Sequence, residues 1–278
     1  CKVTNLCSFG RLPHLENHKD VLDGLQPHAN LRNLRIKGYN GESLPNWMMK
    51  NQLHCSLPNL MRIEISFKDS CKVTNLCSFG RLPHLQILRL WGSNSVEYIE
   101  EDEDDAPVMG EAISEVAPLF PSLEDLLLWD MPKLKGWRRD SRNTKGSARP
   151  PSFPRLNRLM LLQVGFEVVP DEFRGLSSLE TLDIRNCERL KEIPEWIGDV
   201  TSLKGLEIHD CPKLMPLPKQ IGNLPNLEEI SIYGCRGAYA EWWRDPTLPD
   251  CPIKQLHNDK KWKRHNIWRH SLSCSKCR

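Results

Sequence analysis

Near the C-terminus, His265, His270, Cys274 and Cys277 gather two imidazoles and two thiols, the ligand types that hold zinc. Cys274-Ser-Lys-Cys277 has the two-residue separation of a zinc knuckle. Against a metal stand the polarity of the surroundings, the lack of a second cysteine pair and the position at a chain end, where structure frays. The quartet is the one metal candidate, and the expectation is that no metal is bound. His14-Leu15-Glu16-Asn17-His18 spaces two histidines four apart, but its Glu is displaced from the general-base position of a zinc protease. The chain has no Gly-x-x-x-x-Gly-Lys-Ser/Thr loop, no Gly-x-Gly-x-x-Gly loop and no Gly-x-Ser-x-Gly elbow. No catalytic residue, no cofactor and no enzyme activity are therefore expected, and nucleotide binding by this chain is not expected. Lys260-Lys261-Trp262-Lys263-Arg264 fits a nuclear localisation patch or a phosphate contact. The preferred reading is a cap in which Trp243, Trp262 and Trp268 pack while the cations stay in water.

Composition points the same way. The 278 residues are 39% hydrophobic and 27% charged, with a net charge of +2. No apolar run approaches the roughly 18 residues that a membrane-spanning helix needs, so no membrane partner is expected. Residues 251–278 carry eight Lys/Arg against the single acid Asp259, a basic tail on an otherwise slightly acidic chain. Nucleic acid is not expected as a partner. The cysteines number 11, odd and dispersed, and no Asn-x-Ser/Thr sequon occurs, which together favour free thiols in a reducing compartment. The sequence starts at Cys1, which reads as a fragment or a chain whose start is missing.

The elements that would position any site are set by a repeat. Leu179, Leu182, Ile184 and Cys187 recur as Leu203, Leu206, Ile208 and Cys211, and again as Leu227, Ile230, Ile232 and Cys235, a step of 24 residues. Weaker copies start at Leu156, Leu123, Leu85, Leu60 and Leu31. With the first Leu as position one, positions four and six are apolar and point to one side of a short strand, while three, five and seven point to the other. One such unit cannot bury its apolar side alone; stacked units can. Pro and Gly in Ile193-Pro194-Glu195-Trp196-Ile197-Gly198 and Leu217-Pro218-Lys219-Gln220-Ile221-Gly222 turn the chain back between strands. The predicted fold is an α/β leucine-rich-repeat solenoid. A parallel β-sheet forms its concave face, and irregular or short helical segments form its convex face. Eight strands should centre near Leu34, Ile63, Leu88, Leu126, Leu159, Leu182, Leu206 and Ile230.

Particular phrases resemble the repeat region of plant intracellular nucleotide-binding leucine-rich-repeat immune receptors. They include Gly24-Leu25-Gln26-Pro27-His28-Ala29-Asn30-Leu31, Leu44-Pro45-Asn46-Trp47-Met48, Leu57-Pro58-Asn59-Leu60 and Phe120-Pro121-Ser122-Leu123-Glu124-Asp125-Leu126. The resemblance implies a protein-recognition module of innate immunity. Its partners would be a pathogen effector or guarded host protein, and the receptor's own nucleotide-binding domain, which this chain lacks. It implies a cytoplasmic location, and the basic patch leaves the nucleus open as a second. Two other readings stand beside it: an extracellular leucine-rich-repeat receptor or inhibitor ectodomain, and a truncated remnant without function.

The expected organisation is an N-terminal cap over 1–28, a solenoid of about eight units over 29–236, and a C-terminal cap with basic tail over 237–278. The cap contains a block, residues 1–15, repeated without change as 71–85. The acidic run Glu100 to Asp105 and the segment Arg138 to Pro151 break the period and read as solvated insertions. On the concave face the repeat nominates a partner surface. A basic end holds Arg35, Lys37 and Arg62; an apolar and aromatic centre holds Ile87, Arg89, Trp91, Leu127, Trp129, Met160 and Leu162; a mixed end holds Arg185, His209 and Tyr233. The centre is expected to be exposed, which is how binding hot spots look.

Overall fold

The structure is a computed structural model that describes residues 5–6, 22–25, 27–49, 53–101, 119–139, 152–235 and 237–238. The repeat's strands are β2 (Asn33–Tyr39), β3 (Arg62–Phe67), β4 (Ile87–Trp91), β6 (Asp125–Met131), β8 (Arg158–Val164), β9 (Thr181–Arg185), β10 (Gly205–His209) and β11 (Glu229–Tyr233). They lie side by side and parallel in sequence order. Position four stays in register throughout, running Leu34, Ile63, Leu88, Leu126, Leu159, Leu182, Leu206 and Ile230. Each of these eight side chains is 0–2% exposed, because position four faces the inside of every coil. The chain is therefore a leucine-rich-repeat solenoid.

A ninth strand, β1 (Asn5–Leu6), extends the sheet by pairing with Asn33–Leu34. It falls in the first copy of the duplicated block, whereas the matching Asn75 and Leu76 of the second copy lie outside any strand. Spacing accounts for the difference. In the second copy position four follows at Leu88, which corresponds to His18 in the first, only 16 residues before Leu34. That is too short for a coil of at least about 20 residues. Asn5 stands 28 residues before its partner Asn33, a full coil. Leu22 then packs into the core, and Trp47 Nε1 donates to its carbonyl at 2.8 Å.

Successive coils are also stitched together at the entrance to the strands. The carbonyl of position two accepts two backbone N–H groups of the next coil, as Arg32 does from Met61 and Arg62, and Lys204 from Glu228 and Glu229. In seven of the eight coils position eight has positive φ, the exception being Phe67. The seven are Gly38, Gly92, Asp130, Gln163, Asn186, Asp210 and Gly234. Gly92, at φ 81°, has no room for a side chain: a Cβ there would lie 2.7 Å from the Phe67 carbonyl oxygen. The convex returns are short, α1 (Leu53–Ser56) and the 3₁₀ turns Asp171–Phe173, Glu195–Asp199 and Lys219–Asn223. Pro170, Pro194 and Pro218 start those 3₁₀ turns with φ of −58°, −63° and −65°, the angle the pyrrolidine ring imposes.

The two insertions do not leave the solenoid independently. Their bases form a second parallel ladder, β5 (Tyr98–Glu101) with β7 (Gly136–Arg139), in which Glu100 pairs with Arg138 and Glu101 with Arg139. The rest of both insertions, 102–118 and 140–151, lies outside the described residues. Phe120, Trp137, Phe153 and Phe173 pack in the core with ring centroids 4.9–5.7 Å apart, mostly edge to face.

Candidate functional site

Strand alternation delivers positions three, five and seven to the concave side, but the surface it makes is more closed than expected. Leu127, Met160 and Leu162 are buried, 4%, 3% and 9% exposed, rather than presented to solvent. The reason is cross-strand packing. Leu127 lies in register with Met160, and Trp129 with Leu162, on strands β6 and β8 about 4.8 Å apart. The three form an apolar cluster separate from the core, on the other side of the sheet, with half-buried Trp129 packed against it. Trp129 Nε1 donates to Gln163 Oε1 at 2.7 Å, which fixes the indole at the edge of the cluster. Trp91 is in register with Trp129, and Ile87 with Asp125; both Ile87 and Trp91 are half-buried.

On the N-terminal side of this cluster, Glu64 sits nearly buried at 5% exposure among three guanidinium groups. Arg35 Nε approaches its carboxylate to 2.5 Å, Arg62 Nη1 to 3.4 Å and Arg89 Nη1 to 3.9 Å. Arg89 also grips Asp125 with Nε and Nη2, at 3.4 and 3.0 Å, so it spans the gap to the apolar centre. Two carboxylates thus face three arginines; exposed Lys37 lies at this end and exposed Arg158 lies on β8 in register with Asp125, and neither has an ion-pair partner among the described residues. This end of the face is basic.

The far end is arranged in the opposite sense. Asp183, 5% exposed, accepts from Arg185 Nε at 2.6 Å, and Arg185 Nη2 donates to Glu207 at 2.5 Å. Burial raises the Asp183 pKa, and the hydrogen bond and charge of Arg185 offset only part of that. Burial also lowers the His209 pKa, helped by the Arg185 charge. A neutral His209 then shares a 2.7 Å hydrogen bond with buried Ser231, while Tyr233 beside it is 64% exposed. Glu229 is exposed at the last strand. The face reads basic, apolar, then mixed and acidic along its length.

Sequence reasoning placed all thirteen nominated side chains on these strands at positions three, five and seven. It missed Glu64 and Asp183 as buried anchors, because a strand position on the outer side says nothing of how far neighbouring guanidiniums close over it. The metal candidates His265, His270, Cys274 and Cys277, like His14, His18, Trp243, Trp262 and Trp268, lie outside the described residues. Among the described residues, no group of three or more His, Cys, Asp or Glu is placed to hold a metal, and no helix is long and apolar enough to cross a membrane.

A solenoid with a parallel concave sheet defines the class, a leucine-rich-repeat module of the kind that mediates protein–protein contacts. The chain belongs to the R13L1/DRL21 leucine-rich-repeat family, whose model matches residues 5–93 and 167–235, together more than half of its length. It is similar to plant disease-resistance proteins, as its motifs implied. It is 32% identical over 212 residues to disease resistance protein RGA2 of Solanum bulbocastanum, covering 67% of this chain and 20% of that protein. It is 34% identical over 167 residues to putative disease resistance protein RGA1 of the same plant, covering 59% and 14%. A putative disease resistance RPP13-like protein 1 of Arabidopsis thaliana is 29% identical over 195 residues, covering 66% and 16%. The chain thus spans a fifth or less of the length of these curated relatives. Among solved structures, it is similar to the leucine-rich-repeat domain of the type III effector XopL, at a TM-score of 0.45 and 17% identity, covering 83% of this chain and 77% of that one.

Proposed function

We propose that the chain is the recognition module of a plant immune receptor, and that its concave face takes a protein ligand. The ligand would be a pathogen effector, a guarded host protein, or the nucleotide-binding domain of the same receptor in an autoinhibitory contact. The observation that carries the reading is the ordered sequence of a basic end, an apolar aromatic centre and an acidic end along one sheet, a pattern suited to docking in one direction only. The absence of a phosphate-cradling loop and of a catalytic group in the sequence supports a binding rather than an enzymatic role. The six described cysteines are free thiols, which supports a reducing, cytoplasmic setting.

The test uses the nucleotide-binding domain of a plant immune receptor of this kind and a panel of secreted pathogen proteins as immobilised probes. Lys37→Glu with Arg158→Glu reverses two exposed charges, one at the basic end and one beside Asp125 at the edge of the apolar centre, without stranding a buried carboxylate. Binding that falls at least about tenfold in this variant, and that also falls with salt, supports the reading. Binding indifferent to both rejects the concave face as the docking surface.

A further inference from the structure

We propose a second interaction surface, at the edge of the sheet where the chain enters the strands, that takes an extended acidic peptide segment. The edge is built from two ladders. The residue just before position one normally ties its coil to the one before: Asn59 Nδ2 donates to the Ala29 carbonyl at 3.2 Å, Ser122 Oγ to Pro83 at 2.7 Å, Ser178 Oγ to Pro154 at 2.9 Å, Ser202 Oγ to Leu179 at 2.8 Å and Asn226 Nδ2 to Thr201 at 2.8 Å. Two coils depart from that pattern. They carry His84 and Arg155 instead, both exposed, and neither side chain has a partner among the described residues. A small hydrogen-bonding residue would serve the coil there, as it does in its neighbours. Stitching therefore does not explain an imidazole and a guanidinium at these two places.

The exceptions fall together. His84 and Arg155 flank Ser122 along a furrow of about 440 Å³ that also meets Arg32, Met61 and Gln86. Arg32 is exposed and has no side-chain partner among the described residues, so three cationic or protonatable groups line the furrow and no carboxylate does. The position-two ladder explains the sign. Its members on this stretch are Arg32, Met61, Gln86, Glu124 and Asn157, so it holds one acid, half-buried Glu124, which does not line the furrow, and the other acids, Glu180 and Glu228, lie beyond. Glu180 is neutralised by Lys204 at 3.0 Å.

The furrow crosses five successive coils, about 19 Å at the strand spacing, which fits an extended segment of about six residues better than one compact anion. Asn59, Gln86 and Ser122 between the cations offer polar contacts for a peptide backbone, while Arg32, His84 and Arg155 meet carboxylates at intervals along it. The surface is separate from the concave cluster, and the inference rests on the recognition reading only in taking the ligand to be a protein.

The probe is a fluorescently labelled octaglutamate peptide, titrated with the full chain in about 0.1 M salt, where exposed charges more than about 10 Å apart are screened. Binding with a Kd on the order of 10⁻⁵ to 10⁻⁴ M is expected, and a Kd weaker than about 1 mM overturns the proposal. His84→Ser with Arg155→Ser installs the residue that other coils use, so the variant should melt no lower than the parent and bind octaglutamate at least about tenfold more weakly. Lys133→Glu with Lys213→Glu, two exposed cations away from the furrow, should leave binding within about twofold; an equal loss in this control means diffuse attraction and overturns the proposal. Inorganic tripolyphosphate that displaces the peptide at equal charge concentration, with the same dependence on His84 and Arg155, overturns the peptide assignment in favour of a compact polyanion. Trp129→Ala should bind octaglutamate like the parent, so failure of the concave reading and failure of this one give different results.

Discussion

Cys187, Cys211 and Cys235 occupy position nine of three consecutive coils and are 0–1% exposed. They bond to the chain and to one another. Cys211 N donates to Cys235 Sγ at 3.2 Å, and the Cys211 thiol reaches the His209 carbonyl at 3.4 Å. The hydrogen bond with Cys187, together with burial, pushes the Cys211 thiol up to about 12, and the bond with Cys211 raises Cys235 further. Thiolate, not thiol, is the reactive form, so Cys211 and Cys235 are structural, whereas the hydrogen bond with Cys211 lowers the Cys187 pKa. Alkylation with iodoacetamide under native conditions, read by mass spectrometry, should label exposed Cys55 and leave Cys211 and Cys235 unmodified until the fold is melted. Native labelling at Cys211 at a rate comparable with Cys55 would contradict this placement. Asp183 gives a second expectation. Its folded pKa lies above its unfolded value of 3.8, so the native state binds the proton more readily. Stability from this group is then present at low pH and is lost as pH rises through the folded pKa. Asp183→Asn should flatten that part of the pH–stability curve and leave the melting temperature at pH 7 no lower, since Arg185 keeps Glu207 as its partner. A clear drop at pH 7 would show that the Asp183 charge is needed for folding. The sequence showed the buried cysteines through their strict spacing. It could not show the shifted carboxylate, which depends on how the neighbouring strand's side chains cover it.

At the scale of single elements, the eight strands were legible because positions one, four and six repeat in residue type, and period-two alternation converts type into facing. The positive φ at position eight was also written in the chain, as Gly, Asn or Asp in six of the eight coils, but it is visible only once the strand ends are known. Asn186→Gly should be tolerated, whereas Asn186→Val should destabilise by roughly 1–2 kcal/mol, because a β-branched side chain resists the left-handed region. Equal melting temperatures for the two would deny that conformation. Leu206→Asp places an unpaired charge in the core and should cost several kcal/mol in denaturant unfolding; an unchanged midpoint would refute the register. β1 and the β5–β7 ladder were not legible. β1 depends on the length left before β2, not on the block's own residues, which form no strand in their second copy. The ladder pairs segments outside the repeat's own positions, so the repeat pattern gives no sign of it.

For the whole molecule, the polarity of the concave face follows from the order of the coils. Because each coil presents its outward residues beside those of the next, a drift in residue type along the sequence becomes a gradient along the surface. The basic and acidic ends were readable in that way. The apolar centre was readable as a composition but not as a closed cluster. Burying Leu127, Met160 and Leu162 contributes about 1.5–3 kcal/mol per side chain, so the cluster adds to stability and holds Trp129 in place rather than lying open as a flat patch. On the proposed reading, a partner would meet half-buried Trp129, which packs against the cluster, and Trp91 in register with it. The most direct measurement is therefore the double substitution Trp91→Ala with Trp129→Ala, compared with Val168→Ala and Met215→Ala, two exposed apolar side chains outside the concave strands. Each variant is scored for melting temperature and for binding to a receptor nucleotide-binding domain or a secreted pathogen protein found to bind the parent. The account predicts that the tryptophan variant loses binding with only a small change in melting temperature, while the Val168 and Met215 variant keeps both. A large loss of stability with binding intact in the folded fraction, or equal loss of binding in both variants, would contradict it.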